Sequence, residues 1–221
     1  DHSSCHRQDS RGKTDTMMQA ALNDVFQRVM TRNKYEQKAR LRSRIAALRM
    51  PEGSKVLDFG CGTALFATVF RDAKYAYCGY DIDGGLIAYA RRLYDHGRFT
   101  DSKTELRKES PFDIILANCC FHHIDDMTLA EELGQMKTLM KPEGILIMID
   151  ILLPRNDTFL PRTLFRKLER GAHIRSREDY RSILEREFLI RKSDIERSHL
   201  FSIRNFPIYN DLAVFECEAR K

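Results

Sequence analysis

Two carboxylates stand at a fixed spacing in this chain, each at the end of an apolar run. Asp58 lies inside "VLDFGCGTALF", just before Gly60 and Gly62, and Asp81 closes "YCGYD", nineteen residues beyond Gly62. A glycine turn after a strand lets a ligand come close to the backbone, because glycine has no Cβ to clash. An acid about twenty residues further on is placed to accept hydrogen bonds from ribose hydroxyls. The first acid is the informative one: Asp58 would repel a pyrophosphate and attract a cation. A second constellation, Asn118-Cys119-Cys120-Phe121-His122-His123, follows another apolar run. Histidine is the side chain suited to taking a proton from a hydroxyl near neutral pH.

A ribose and positive charge in one ligand describe S-adenosylmethionine (SAM), whose ammonium and sulfonium both suit a carboxylate. A nicotinamide-dependent oxidoreductase ranks last among the readings for the same reason, since Asp58 opposes its pyrophosphate.

The elements that must position these residues show in the patterning. The apolar runs "KVLDFG", "YAYCGYD", "FDIILANC" and "GILIMIDILL" alternate with the helical patterns "TALFATVFRDA", "GGLIAYARRLYDHG" and "DDMTLAEELGQMKTLMK". This rhythm predicts βαβ units and a parallel sheet covered on both faces, with its ligand at the carboxyl ends of the strands beside the first. In the last helical pattern Leu129, Leu133, Met136 and Met140 form one stripe, Asp125 or Asp126 can cap its start, and Pro142 with Gly144 stops it. Amphipathic helices over residues 22–48 lead into the core and end at Pro51-Glu52-Gly53. At the other end "SREDYRSILEREF" reads as a helix. "LIRKSDIERSHL" and "NDLAVFECEAR" follow as two strands with no helix between, which predicts an antiparallel hairpin at the sheet edge.

With 221 residues and 43% hydrophobic content, the chain can bury one sizeable core but not two full domains. Its longest apolar run, "GILIMIDILLP", is broken by Asp150 and falls short of the roughly 20 residues that cross a bilayer, so no membrane span is expected. Residues 1–17 have no apolar segment of a secretory signal and are expected to be a flexible extension outside the fold. The cysteines sit mostly within apolar runs without a pairing framework, which fits a reducing, cytoplasmic setting. A net charge of +5 is too modest to demand a polyanionic partner.

Taken in order, "LDFGCGTA", "GYDID", "FDIILANCCFHHIDD" and "LMKPEGILIMID" resemble the successive motifs of the class I SAM-dependent methyltransferases, in the branch that mostly methylates small molecules. The resemblance spans about residues 41–153. It implies a Rossmann-like α/β fold: a seven-stranded, mostly parallel sheet with an antiparallel closing strand and helices on both faces. It also implies that Asp58 faces the methionine end of SAM, that Gly60, Cys61 and Gly62 line the cofactor by backbone, and that Asp81 takes the ribose. Ile82 and either Asp101 or Ser102 would hold the adenine, and Asn118 would lie with the residues beside the methyl group. Ala64 stands where the family pattern has a third glycine.

His122 and His123 are the candidate bases, although in the family at least one histidine of this pattern is often structural. A metal site is not expected, because adjacent histidines seldom aim at one ion and no partner has ligand spacing. Cys119 and Cys120 read as core. The expected organisation is one domain over residues 18–221, with N-terminal helices at 18–50 and a segment covering the acceptor at 154–182. The excess of arginine beside apolar side chains in that segment suggests an anionic acceptor with an apolar body, with at least one of Arg170, Arg175 and Arg177 pointing into the cleft. The function expected is methyl transfer from SAM to a small or medium molecule, an oxygen acceptor being slightly favoured. The alternatives are an RNA or protein methyltransferase, which the lack of a recognition module makes a weaker reading, and a SAM-binding protein without catalysis.

Overall fold

The computed structural model describes residues 34–153, 173–203 and 206–220. The expected extension at 1–17, the first part of the N-terminal helices, and residues 154–172 of the expected cover, Arg170 among them, lie outside the described residues.

The elements run α1 (Lys34–Leu48), β1 (Lys55–Phe59), α2 (Ala67–Asp72), β2 (Ala76–Tyr80), α3 (Gly84–Leu93), β3 (Arg98–Thr100), α4 (Lys103–Glu109) and β4 (Phe112–Asn118). A 3-10 turn (Phe121–His123), α5 (Asp126–Leu139), β5 (Met140–Ile151), α6 (Arg177–Leu184), β6 (Phe188–Ile203) and β7 (Phe206–Ala219) follow among the described residues. The seven strands form one sheet in the order β3-β2-β1-β4-β5-β7-β6. β1 to β5 pair in parallel, and β7 inserts antiparallel between β5 and β6. The expected closing hairpin is therefore β6–β7, with β6 at the edge.

Apolar residues on both faces of the strands explain the layers. Val56, Ile114, Leu116, Ile147 and Val214 pack on one side with Leu41 and Ile45 of α1 and with α2 and α3. Leu57, Ile115, Leu146, Met148 and Phe215 pack on the other side with α5 and α6. Ion pairs hold α1 in place: Arg44 of α1 meets Glu216 at 3.0 Å and also pairs with Glu196 of the closing hairpin.

α5 begins where its pattern predicts, with Asp125 as its cap, accepting from the Met127 and Thr128 amides. It ends one residue before Met140. Leu139 completes the buried stripe, while Met140 opens β5 opposite Phe112. The elements that the patterning did not separate are short or polar. β3 has three residues, and α4, "KTELRKE", buries only Leu106.

Candidate functional site

The parallel pairing of β1 with β2 and β4 brings the carboxyl ends of these three strands to one edge of the sheet. Asp58 is 2% exposed on β1, and one carboxylate oxygen accepts the Tyr77 hydroxyl of β2 at 2.6 Å. Burial pushes the Asp58 carboxyl up to about 7; the Tyr77 hydrogen bond opposes that rise and the Asp81 charge adds to it. A carboxyl balanced near neutrality gains from a cation brought beside it.

Asp81 follows β2 and is half-buried. Its Oδ2 accepts the Gly62 amide at 2.8 Å and its Oδ1 accepts the Asp83 amide at 3.0 Å, so the acid pins the glycine turn to the end of β2. Burial raises its carboxyl, and these two amides work against the rise. Asp83 in turn caps α3 through the Gly85 and Leu86 amides.

The turn's glycines do different things. Gly60 (φ +71°) and Gly62 (φ +54°) are both left-handed. A Cβ on Gly60 would stand 2.6 Å from Cβ of Cys120, whereas one on Gly62 would meet nothing within 4 Å. Gly60 thus makes room for the loop after β4, and only Gly62 borders open space. The amides of Gly60 and Cys61 both donate to the Tyr80 carbonyl, at 2.8 and 3.0 Å, so they serve the turn itself. Ala64 takes up a left-handed φ of +58°, the conformation that a third glycine would supply without strain.

Next to Asp81, Ile82 is 87% exposed, an apolar surface well suited to a planar ring. Ser102 uses its hydroxyl to cap α4 through the Glu105 amide. Asp101 is exposed, with its carboxylate set against Gly84 at the start of α3. Of the two adenine candidates, Asp101 is the one without a capping duty.

The loop after β4 departs sharply from the strand: Cys119 is left-handed at φ +52°, and the 3-10 turn follows. Asn118 ends β4 half-buried. His122 is buried, with Nδ1 lying 2.5 Å from Oδ1 of Asp150 near the end of β5. Asp150, 1% exposed, also accepts the amides of Phe121 at 2.7 Å and His122 at 3.2 Å through Oδ2, and that of Ile151 at 2.7 Å through Oδ1. His123 is exposed at its surface, with its ring 4.0 Å from that of His122; partial desolvation by its neighbours, followed by the adjacent imidazole, lowers its pKa. Burial raises the Cys61 and Cys120 thiols far above the usual range, which makes both poor nucleophiles.

Of the three arginines expected near the acceptor, Arg175 and Arg177 are among the described residues, and each has partners within the fold. Arg175 is 5% exposed, and its guanidinium donates to the carbonyls of Phe121 (2.9 Å), His173 (3.0 Å) and Ile124 (2.6 Å) and to the Asp126 carboxylate (2.8 Å). Arg177 donates to the hydroxyl and carbonyl of Ser193 on β6. The Arg175 guanidinium is thus held by three backbone carbonyls around the 3-10 turn, and Arg177 is tied to β6. Sequence reasoning missed Asp150 and Tyr77. The signal for Asp150 was a lone acid inside the most apolar run, since a buried carboxylate must find partners.

Comparison with known proteins agrees with this architecture. Residues 30–187 match the family model described as a methyltransferase domain. An uncharacterized methyltransferase of Anoxybacillus flavithermus is 24% identical over 159 residues, 71% of each chain. A ubiquinone biosynthesis O-methyltransferase of Rhodopseudomonas palustris is 29% identical over 120 residues, 52% of this chain and 44% of the relative. Among solved structures, the magnesium protoporphyrin IX methyltransferase of Synechocystis with bound S-adenosylhomocysteine superposes with a TM-score of 0.64 at 17% identity, covering 88% of this chain and 86% of that one. Together with the strand order and the acid-bearing glycine turn, these matches show that the chain belongs to the methyltransferase-domain family and is a SAM-dependent methyltransferase of class I fold.

Proposed function

We propose that the protein transfers a methyl group from SAM to a hydroxyl oxygen of a small molecule, with His122 as the base that removes the hydroxyl proton. The observation that carries this reading is the meeting, at one edge of the sheet, of the Asp58/Asp81 turn with a histidine pair on the loop after β4. The residues fit the cofactor: Gly62 borders open space, Asp81 presents a carboxylate beside it, and Ile82 offers an uncovered apolar face. Asp58 would balance the cationic methionine end, Asp81 would accept the ribose hydroxyls, and Ile82 with Asp101 would border the adenine. When bound, SAM supplies a methyl group on a positively charged sulfur, which keeps the electron pair of the bond that breaks while the acceptor oxygen provides the pair for the new one.

The chain's own work is to bind, align, exclude water and hold the proton that the acceptor gives up. The matched relatives include a ubiquinone biosynthesis O-methyltransferase, and a structural neighbour is named magnesium protoporphyrin IX methyltransferase, which supports a small acceptor. With Arg175 and Arg177 committed elsewhere, the acceptor is proposed without a required charge. The test is transfer from methyl-labelled SAM to panels of phenols, aliphatic alcohols and amines, alongside calorimetry of SAM. His122→Ala should lower turnover about 100-fold or more with SAM affinity nearly intact. Transfer only to amines would refute the oxygen assignment, and SAM binding without transfer to any panel would point to a role in binding alone.

A further inference from the structure

The strongest feature that the cofactor site does not use is the acid at the end of β5. Asp150 has four contacts on its two oxygens. Three are backbone amides, of Phe121, His122 and Ile151, and these can only donate. A carboxylate has about four acceptor sites and, when ionised, no proton of its own. The fourth contact, His122 Nδ1 at 2.5 Å, is therefore made by an Nδ1–H that donates to the carboxylate. A neutral imidazole with its proton on Nδ1 has its only lone pair on Nε2.

We infer that Asp150 is a positioning residue: it fixes His122 in the Nδ1–H tautomer and so makes Nε2 the atom that accepts the acceptor's proton. This rests on the proposed hydroxyl methylation. The design is over-determined in two ways. Asp150 holds the amides of Phe121 and His122 as well as the imidazole, so one side chain sets both backbone and ring. The His173 amide donates to the His122 carbonyl at 3.0 Å, and Arg175 takes the Phe121 carbonyl, so the turn is gripped from the opposite side as well. With the His122 side chain 4% exposed and that of Asp150 1%, the pair is nearly dry, and the carboxylate stabilises the imidazolium that forms when Nε2 takes a proton. The proton then returns to solvent from Nε2, and the dyad is reset.

The test begins on the wild type, so it does not depend on a variant that folds. Nitrogen-15 histidine NMR at about pH 8, above the ordinary imidazole range, with S-adenosylhomocysteine added, should show His122 protonated at Nδ1. Protonation at Nε2 would overturn the inference, whatever the enzyme methylates. In Asp150→Asn the carboxamide can donate to Nδ1, so the tautomer should switch to Nε2–H. With phenol as acceptor, turnover should then fall roughly 100- to 10,000-fold, while SAM affinity stays within about threefold. With 4-nitrophenol, already largely ionised at that pH, the same variant should lose far less, since no base is needed. An equal loss on both phenols would refute the tautomer role and leave Asp150 a purely structural clamp. A wild type that carries Nδ1–H but methylates only amines would sink the hydroxyl reading and leave the tautomer assignment standing.

Discussion

Arg175→Ala separates two accounts of one residue. If the guanidinium met an acceptor, its loss would raise KM and leave folding nearly unchanged. In the structure the guanidinium makes four hydrogen bonds, three of them to backbone carbonyls and one to Asp126, with which it also forms an ion pair. The Phe121 carbonyl is in a fully buried contact, and those of His173 and Ile124 are partly buried. A stranded buried acceptor costs about 1–3 kcal/mol, and partly buried ones can recruit water and cost less. The Asp126 arm adds under about 1 kcal/mol, since that carboxylate is 78% exposed. The sum is a loss of about 2–4 kcal/mol, or roughly 4–16 °C in Tm for a chain of this size. Urea unfolding and calorimetric melting would measure it, with Asp126→Asn as the mild control. A loss under about 0.5 kcal/mol together with a raised acceptor KM would refute the structural role.

Further outcomes follow from the acids. Asp81→Ala should weaken SAM binding by about 1.5–3 kcal/mol, the scale of hydrogen bonds to a charged group; calorimetry showing unchanged affinity would remove the ribose role. Asp58, pushed up to about 7 from an ordinary 3.8, holds its proton in the fold after the unfolded chain has released it. Its contribution, on the order of 4 kcal/mol, is thus fully present below about pH 4 and is lost as pH rises toward 7. Wild type should therefore lose stability relative to Asp58→Asn, which stays neutral throughout, across that window, and a difference independent of pH would contradict the raised carboxyl. Because a cation needs the ionised form, SAM affinity should climb with pH up to about neutrality and then level off. Tyr77→Phe removes the hydrogen bond that favours ionisation, so it should move that plateau to higher pH.

The strands were legible because short contiguous apolar runs alternate with helical patterns, as a parallel sheet covered on both faces requires, and the acids were legible because each interrupts or ends such a run. What the sequence hides is pairing across distance. Asp150 shows as an anomaly in "GILIMIDILL", but its partner His122 is 28 residues away and becomes its neighbour only when β4 and β5 align. Tyr77 reads as one more apolar strand residue until β2 lies against β1 and its hydroxyl meets Asp58. The partners of Arg175 were hidden for a physical reason. Charge beside apolar residues looks the same whether the guanidinium serves a ligand or a set of backbone carbonyls, and the carbonyls become visible only once the turn at Phe121–His123 exists.

The glycine turn gives the sharpest test of that distinction. In the sequence Gly60 and Gly62 look equivalent, both freeing backbone for a ligand. In the structure both are left-handed, so alanine at either should cost about 1–2 kcal/mol from backbone strain alone. Only at Gly60 would the new methyl also collide, 2.6 Å from Cβ of Cys120, adding about 1–3 kcal/mol of overpacking. Gly60→Ala should therefore be a folding lesion that also disturbs the loop carrying His122. Gly62→Ala should fold with the smaller loss and show its main defect in SAM affinity, because its methyl enters the open space beside Asp81. Cys120 supplies the control. Cys120→Ala keeps the offending Cβ and should not relieve Gly60→Ala, whereas Cys120→Gly removes it and should return about 1–3 kcal/mol in a double-mutant cycle. Equal stability losses at the two glycines, or no recovery with Cys120→Gly, would show that the loop after β4 does not rest on Gly60 and that the two glycines share one role after all.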